Sequence, residues 1–243
     1  YGIGNELMGS LLGAVLIGCA LFFHQNKLSV KMQTIIAAFV FGLVFISKGL
    51  PHFGANTGGA LASLPAFFTY IAILRGWKFN IKLVLGILAF SALTMFAIFI
   101  GDYLKGISEQ THMGRVIMML SSGGIIELLQ VMERKISVNI MLISNSVWSR
   151  LLIISLLASI ALYIRARKLE PNRLESKELK CGGYSAIVGV VGSFVFNDSG
   201  VLAAANCIVF LWILLAVINL KILQPQLSLQ DLSGFSNLSS QSG

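Results

Sequence analysis

The chain is short of charge. Asp, Glu, Lys and Arg together make up 12% of its 243 residues, about half of the ~25% usual for a soluble domain. So few charges cannot coat the water-facing surface that a folded chain of this length presents. With a mean hydropathy of +0.84, the bilayer is left as its main solvent. Cysteine is equally scarce: Cys19, Cys181 and Cys207 show no paired or metal-ligand spacing, which argues against a disulfide framework or a zinc module. Cys19 and Cys207 sit in apolar runs and read as small hydrophobes. There is no Walker loop, no dinucleotide fingerprint after a strand, no zinc-type histidine pair and no Gly-x-Ser-x-Gly elbow. The readily named enzyme classes drop out with them.

What the sequence has in quantity is apolar runs. A spanning helix needs about 20 mostly apolar residues, and runs at 7–23, 33–47, 60–74, 83–101, 151–164, 184–196 and 201–223 approach that length if each borrows flanking residues. The expected fold is therefore all-α, a polytopic transmembrane bundle of about seven spans over residues 1–223. The stretch 224–243, rich in Ser, Gln and Gly, is expected to be a disordered polar tail. Because the chain opens at Tyr1 in mid-motif, a preceding segment is expected.

The formal charge of +8 would suggest nucleic acid in a soluble protein. Here the basic residues lie in short connections, without the basic face and interleaved aromatics that a phosphate backbone requires, so no nucleic-acid partner is expected. Their distribution orients the chain instead. Lys27 and Lys31 lie in the first connection, Arg75, Lys78 and Lys82 in the third, and Arg165, Arg167, Lys168, Arg173, Lys177 and Lys180 in the fifth. The alternate connections carry Lys48, Lys105 and Arg115, offset by Asp102 and Glu109. The positive-inside rule puts the N-terminal end outside and the C-terminal tail in the cytoplasm. The stretch 116–130 is apolar enough to resemble another span, but a crossing there would throw the fifth connection outside. It is expected to be an interfacial or re-entrant helix on the outer surface.

Four polar segments interrupt the apolar pattern: Gly2-Ile3-Gly4-Asn5-Glu6, Gly54-Ala55-Asn56-Thr57-Gly58-Gly59, Thr111-His112-Met113-Gly114-Arg115 and Asn197-Asp198-Ser199-Gly200. With the orientation above, all fall at outer helix ends. Asn5, Asn56, Thr57, Asp198 and Ser199 precede helix starts as capping residues do, and three positive helix-dipole ends beside Arg115 would favour a phosphate or carboxylate. Asn5, Asn56, Thr57, Gly58, Gly59, Arg115, Asn197 and Ser199 are thus the expected substrate-binding residues. His112 can move protons near neutral pH and shares a helix face with Arg115, while Glu6, Asp102 and Asp198 supply carboxylates, so His112, Asp102, Asp198 and Glu6 are the expected catalytic groups. Capping alone would account for Asn and Ser, but it does not require Glu6, Asp102, His112 and Arg115. No spacing diagnoses a metal or names a cofactor.

In this order and spacing, GIGNE, GANTGG, DYLKG with THMGR, and NDSG resemble a family of multi-spanning envelope membrane proteins of Gram-positive bacteria. The likeness covers nearly the whole chain up to the polar tail. On the matching positions it is carried by Asn5, Gly58, Gly59, Asp102, His112, Arg115, Asn197 and Asp198; Glu6 and Asn56 depart from the commoner residues there. The resemblance implies a bacterial cytoplasmic membrane protein and no settled reaction. The function expected is an outward-facing, anion-favouring site of an envelope enzyme acting on a phosphate-bearing or lipid-linked substrate. Alternatives are a transporter or flippase gated by a broken helix at Asn197–Gly200, and a non-catalytic membrane subunit. The bilayer is the expected partner in each case.

Overall fold

The apolar runs become helices. The computed structural model describes residues 4–49, 56–103 and 125–240, and among them the regular elements are all helical. They are α1 (Asn5–Gln25), α2 (Val30–Gly49), α3 (Thr57–Leu74), α4 (Ile81–Tyr103), α5 (Ile125–Asn145), α6 (Val147–Leu169), α7 (Lys177–Phe196) and α8 (Gly200–Ser240), with a 3-10 turn at Pro171–Glu175. Five are long and apolar enough to cross a membrane: α1, α2, α6, α7 and the Gly200–Leu220 part of α8. α3 and α4 contribute the shorter apolar stretches Gly58–Leu74 and Ile81–Thr94.

Each expected run is longer in the structure, because polar flanking residues complete the end turns. The largest shift of a helix start is at α7, expected at 184–196 but starting at Lys177. Lys177, Glu178 and Lys180 read as loop by composition, yet they form its first turn. α8 is helical through Ser240, and its apolar part ends at Leu220.

α1, α3, α7 and α8 form the centre of the bundle; α2 and α4 pack on α3, and α6 on α8. Small residues bring the central helices together. Gly9 of α1 lies directly on the Ala203 carbonyl of α8, and a Cβ at Gly13 would come within 2.8 Å of the Cys207 carbonyl oxygen. This is the close approach that small residues four apart permit between spanning helices. Larger side chains fill the remaining core, where Phe41 of α2 stacks on Phe67 at 4.4 Å and meets Tyr70 edge-on. The outward faces stay apolar: Phe39, Leu93, Leu157 and Val191 are all exposed, as befits helices solvated by lipid.

The chain direction sorts the helix ends into two groups. At one end the starts of α1, α3 and α8 meet the close of α2 and α7, shown by Asn56 Nδ2 donating to Asn5 Oδ1 and by Gly58 lying against Phe196 and Asn197. At the other, His24 of α1 is 3.0 Å from the Ser176 hydroxyl ahead of α7, and Gly76 after α3 approaches Lys177. The first, third and fifth connections, with their basic residues, thus share the second end.

α5 adds to the sequence reading. The surface helix was expected at 116–130; residues 116–124 lie outside the described part, and the described helix runs on to Asn145 before a single residue, Ser146, caps α6. It has three faces. Leu129, Met132, Ile136, Ile140 and Ile143 form an exposed apolar stripe, Gln130, Glu133, Arg134 and Ser137 an exposed polar one, and Lys135 and Asn139 turn to the bundle. Such a division suits a helix at a membrane surface.

Candidate functional site

Three of the four polar motifs, those around Asn5, Asn56 and Asn197, meet at one end because five helices begin or finish there. Asn56 caps α3: its Oδ1 accepts the Gly59 N–H at 2.8 Å. The same side chain donates through Nδ2 to Asn5 Oδ1 at 3.0 Å, so one amide closes α3 and ties it to α1. Asn5 was expected as the cap of α1, but the cap position is Gly4. Asn5 is one residue inside the helix, which leaves its side chain free to point sideways at Asn56. The Asn56 N–H in turn donates to the Lys48 carbonyl, holding the close of α2 against the start of α3.

Gly58 provides the next contact. A Cβ there would lie 2.6 Å from the Phe196 carbonyl oxygen and 3.2 Å from the Asn197 Cα, so no other residue lets the turn between α7 and α8 approach this closely. Gly59 packs on Met8 of α1. Asn197 is 2% exposed; its Oδ1 accepts from the Asp198 N–H, and its Nδ2 has no hydrogen-bond partner among the described residues. A buried amide donor left unpaired is costly, which makes Nδ2 the first polar group here that packing does not account for.

Lys48 is the second. It lies in the last turn of α2 and is fully buried. Its ammonium donates to the Ser63 hydroxyl at 3.1 Å, and Ser63 donates onward to the Gly59 carbonyl at 2.7 Å. No carboxylate among the described residues pairs with it. A desolvated ammonium with one neutral partner is strongly unfavourable, and ionisable groups kept at such depth mark function more often than stability. Sequence reasoning placed Lys48 merely beside a connection, at the close of an apolar run, where a lysine is expected to snorkel outward.

The remaining expected residues are dispersed. Asp198 is exposed and paired with Lys135 of α5, 3.1 Å away; Lys135 also donates to the Phe196 carbonyl. Asn139 Oδ1 accepts the Val201 N–H, so α5 rather than Ser199 caps that turn of α8, and Ser199 contributes its carbonyl to Leu202 and Ala203. Glu6 is exposed and has no polar partner among the described residues. Thr57 is the first residue of α3. Asp102 falls in the last turn of α4, and His112 and Arg115 lie outside the described residues. The structure thus brings together Asn5, Asn56, Gly58, Gly59 and Asn197, adds Lys48, Ser63, Lys135 and Asn139, and leaves Glu6 apart. Among the described residues no three His, Cys, Asp or Glu cluster as metal ligands.

The motif that suggested a broken-helix gate also looks different in place. Asn197–Ser199 is a turn joining two full-length apolar helices, α7 and the start of α8, at the end of the bundle rather than at its middle. No known family, curated protein or solved structure matches the chain.

Proposed function

We propose that this is a multi-pass protein of a bacterial cytoplasmic membrane whose motif end faces outward and holds an anionic, phosphate-bearing or lipid-linked substrate, as an envelope enzyme. The observation that carries the reading is Lys48. Among the described residues its buried ammonium has only the Ser63 hydroxyl as partner and no negative charge to offset its desolvation, which an anionic substrate group would supply. Two further features point the same way. The unpaired Asn197 Nδ2 offers a second donor against the first turn of α3, and the starts of α1, α3 and α8 direct their positive dipole ends to this face. Arg115 would add a forked donor and His112 the acid or base.

Thermal unfolding of the purified protein with polyprenyl phosphate, against the same lipid as the free alcohol, tests the reading. The phosphate form is expected to raise the melting temperature and the alcohol to leave it unchanged. Lys48→Met and Arg115→Ala should each remove the shift. Equal shifts with alcohol and phosphate, or a shift that survives both substitutions, would overturn it. Orientation has its own test: single cysteines at Gly4 and Ser199, in a background without the native three, should react with an impermeant thiol reagent outside intact cells, and cysteines at Ser29 and Ser176 should be protected. Labelling at Ser176 with protection at Ser199 would reverse the assignment, because it would put the most basic connection outside.

A further inference from the structure

The basic end holds a feature that the motif-end site does not use. Between α6 and α7, with α8 as its floor, runs a groove of about 720 Å3. Its walls are apolar, with Leu156 and Ile160 from α6 facing Ile187 and Val191 from α7. Ser159 also lines it, but its hydroxyl is turned back onto the Ser155 carbonyl. The charged lining is confined to one end, where Arg167, Glu175 and Lys180 form the mouth. From Leu152 to Arg167 the groove follows α6 for roughly 22 Å at 1.5 Å per residue, deeper than the roughly 15 Å of one leaflet. An aliphatic chain can lie along it at full length.

We propose that this groove binds an anionic phospholipid from the leaflet at the basic end, with its phosphate at Arg167 and Lys180 and an acyl chain along α6 and α7. Charge selects the headgroup. Glu175 accepts from Arg167 through one oxygen and from Lys180 through the other, so a single carboxylate holds two cations at the mouth and the trio keeps a net positive charge. Each cation retains unused N–H donors, since guanidinium carries five and ammonium three. The surrounding segment adds to the field, with six basic residues against three acidic ones between 165 and 180. Tyr163 and Tyr184, both exposed and both lining the groove, supply the amphipathic rings found at headgroup level. Apolar walls that end in a cationic mouth are the arrangement by which pockets between spanning helices recognise anionic lipid.

The test is lipid retention. Protein reconstituted in phosphatidylcholine nanodiscs with a minor fraction of phosphatidylglycerol is re-extracted, and the bound lipid is counted by mass spectrometry. Phosphatidylglycerol should be enriched to about one molecule per chain. The Arg167→Gln/Lys180→Gln double variant should lower that retention roughly thirtyfold, as loss of two surface cations implies. Gly183→Phe should do the same by filling the groove, because Gly183 lines it and an added Cβ there meets nothing within 4 Å, leaving the fold intact. Lys48→Met should leave retention unchanged, which separates this site from the motif-end site. Equal retention of the two lipids, or retention unaffected by both groove variants, would overturn the proposal. So would a dimer that Gly183→Phe dissociates, since the groove would then receive a second copy of the chain.

Discussion

The two ends of the bundle use polarity in opposite ways. At the basic end the polar groups are charged, exposed and matched with one another: Arg167 and Lys180 share Glu175, each group at least a third exposed. Such solvated pairs add little to stability, and their main effect is to mark which side of a membrane the loops occupy. At the motif end an exposed pair, Lys135 with Asp198, sits at the rim, but the groups that join the central helices are neutral amides. Asn56 links α3 to α1 and Asn139 caps α8, while Lys48, the one fully buried cation among the described residues, is left there with a hydroxyl for company. Orientation and stability account for the first end. They do not account for the second, where a charge is kept at an energetic cost.

Removing that charge should have the largest effect. Replacing a poorly compensated buried ionic group with an apolar side chain of similar length typically stabilises by roughly 1–4 kcal/mol. Lys48→Met should therefore raise the unfolding midpoint in detergent while it abolishes anion binding. A lower midpoint would show that Lys48 is a structural element like those of the basic end, and the contrast between the ends would disappear. Gly58→Leu should act next most strongly and in the opposite sense. Its side chain would force the α7–α8 turn away from α3, a form of overpacking that costs about 1–3 kcal/mol, and with the turn would go the position of Asn197. Unchanged stability would mean that the close approach at Phe196 is not maintained in the membrane.

Asn56→Ala should have a smaller effect, because it removes a helix cap worth about 1 kcal/mol together with the neutral bridge to Asn5. Asn56→Asp sharpens the comparison: it keeps the acceptor for the Gly59 N–H but loses the donor to Asn5. If the bridge matters, the aspartate variant should fall between wild type and alanine in urea unfolding. If it matches wild type, Asn56 serves only as a cap and one of the ties that define the motif end is dispensable.

How much of this was legible in sequence follows from what each signal depends on. The spanning helices were readable because apolar length is a local property, and every expected run lies within a helix. The helical character of 131–145 was missed, because Leu129, Met132, Ile136, Ile140 and Ile143 recur at helical spacing among charges rather than as a continuous apolar run. The grouping of Asn5, Asn56 and Asn197 at one end was legible from alternation of direction alone. The bond between Asn56 and Asn5, 51 positions apart, was not, because it depends on how α1 and α3 rotate about their axes. Lys48 was the least legible: its position in sequence is the same whether its side chain turns out to lipid headgroups or inward to Ser63.

The smallest effect should come from the other end, and it should depend on pH. The hydrogen bond from Lys180, followed by that from Arg167, holds the Glu175 carboxyl below its ordinary 4.5. A carboxyl whose folded value is depressed stabilises the fold above its unfolded value, and the contribution is lost as pH falls through the depressed one. Glu175→Gln should therefore be slightly less stable than wild type near pH 7, and the two unfolding curves should converge on acidification toward pH 3. The group is solvated, so screening should shrink the difference further as salt is raised. Convergence in acid and in salt would identify Glu175 as a charge that holds two cations together at the mouth of the groove. A difference that persists at pH 3 would mean that its contribution is one of packing, and the two ends of the bundle would then differ less in kind than their charges suggest.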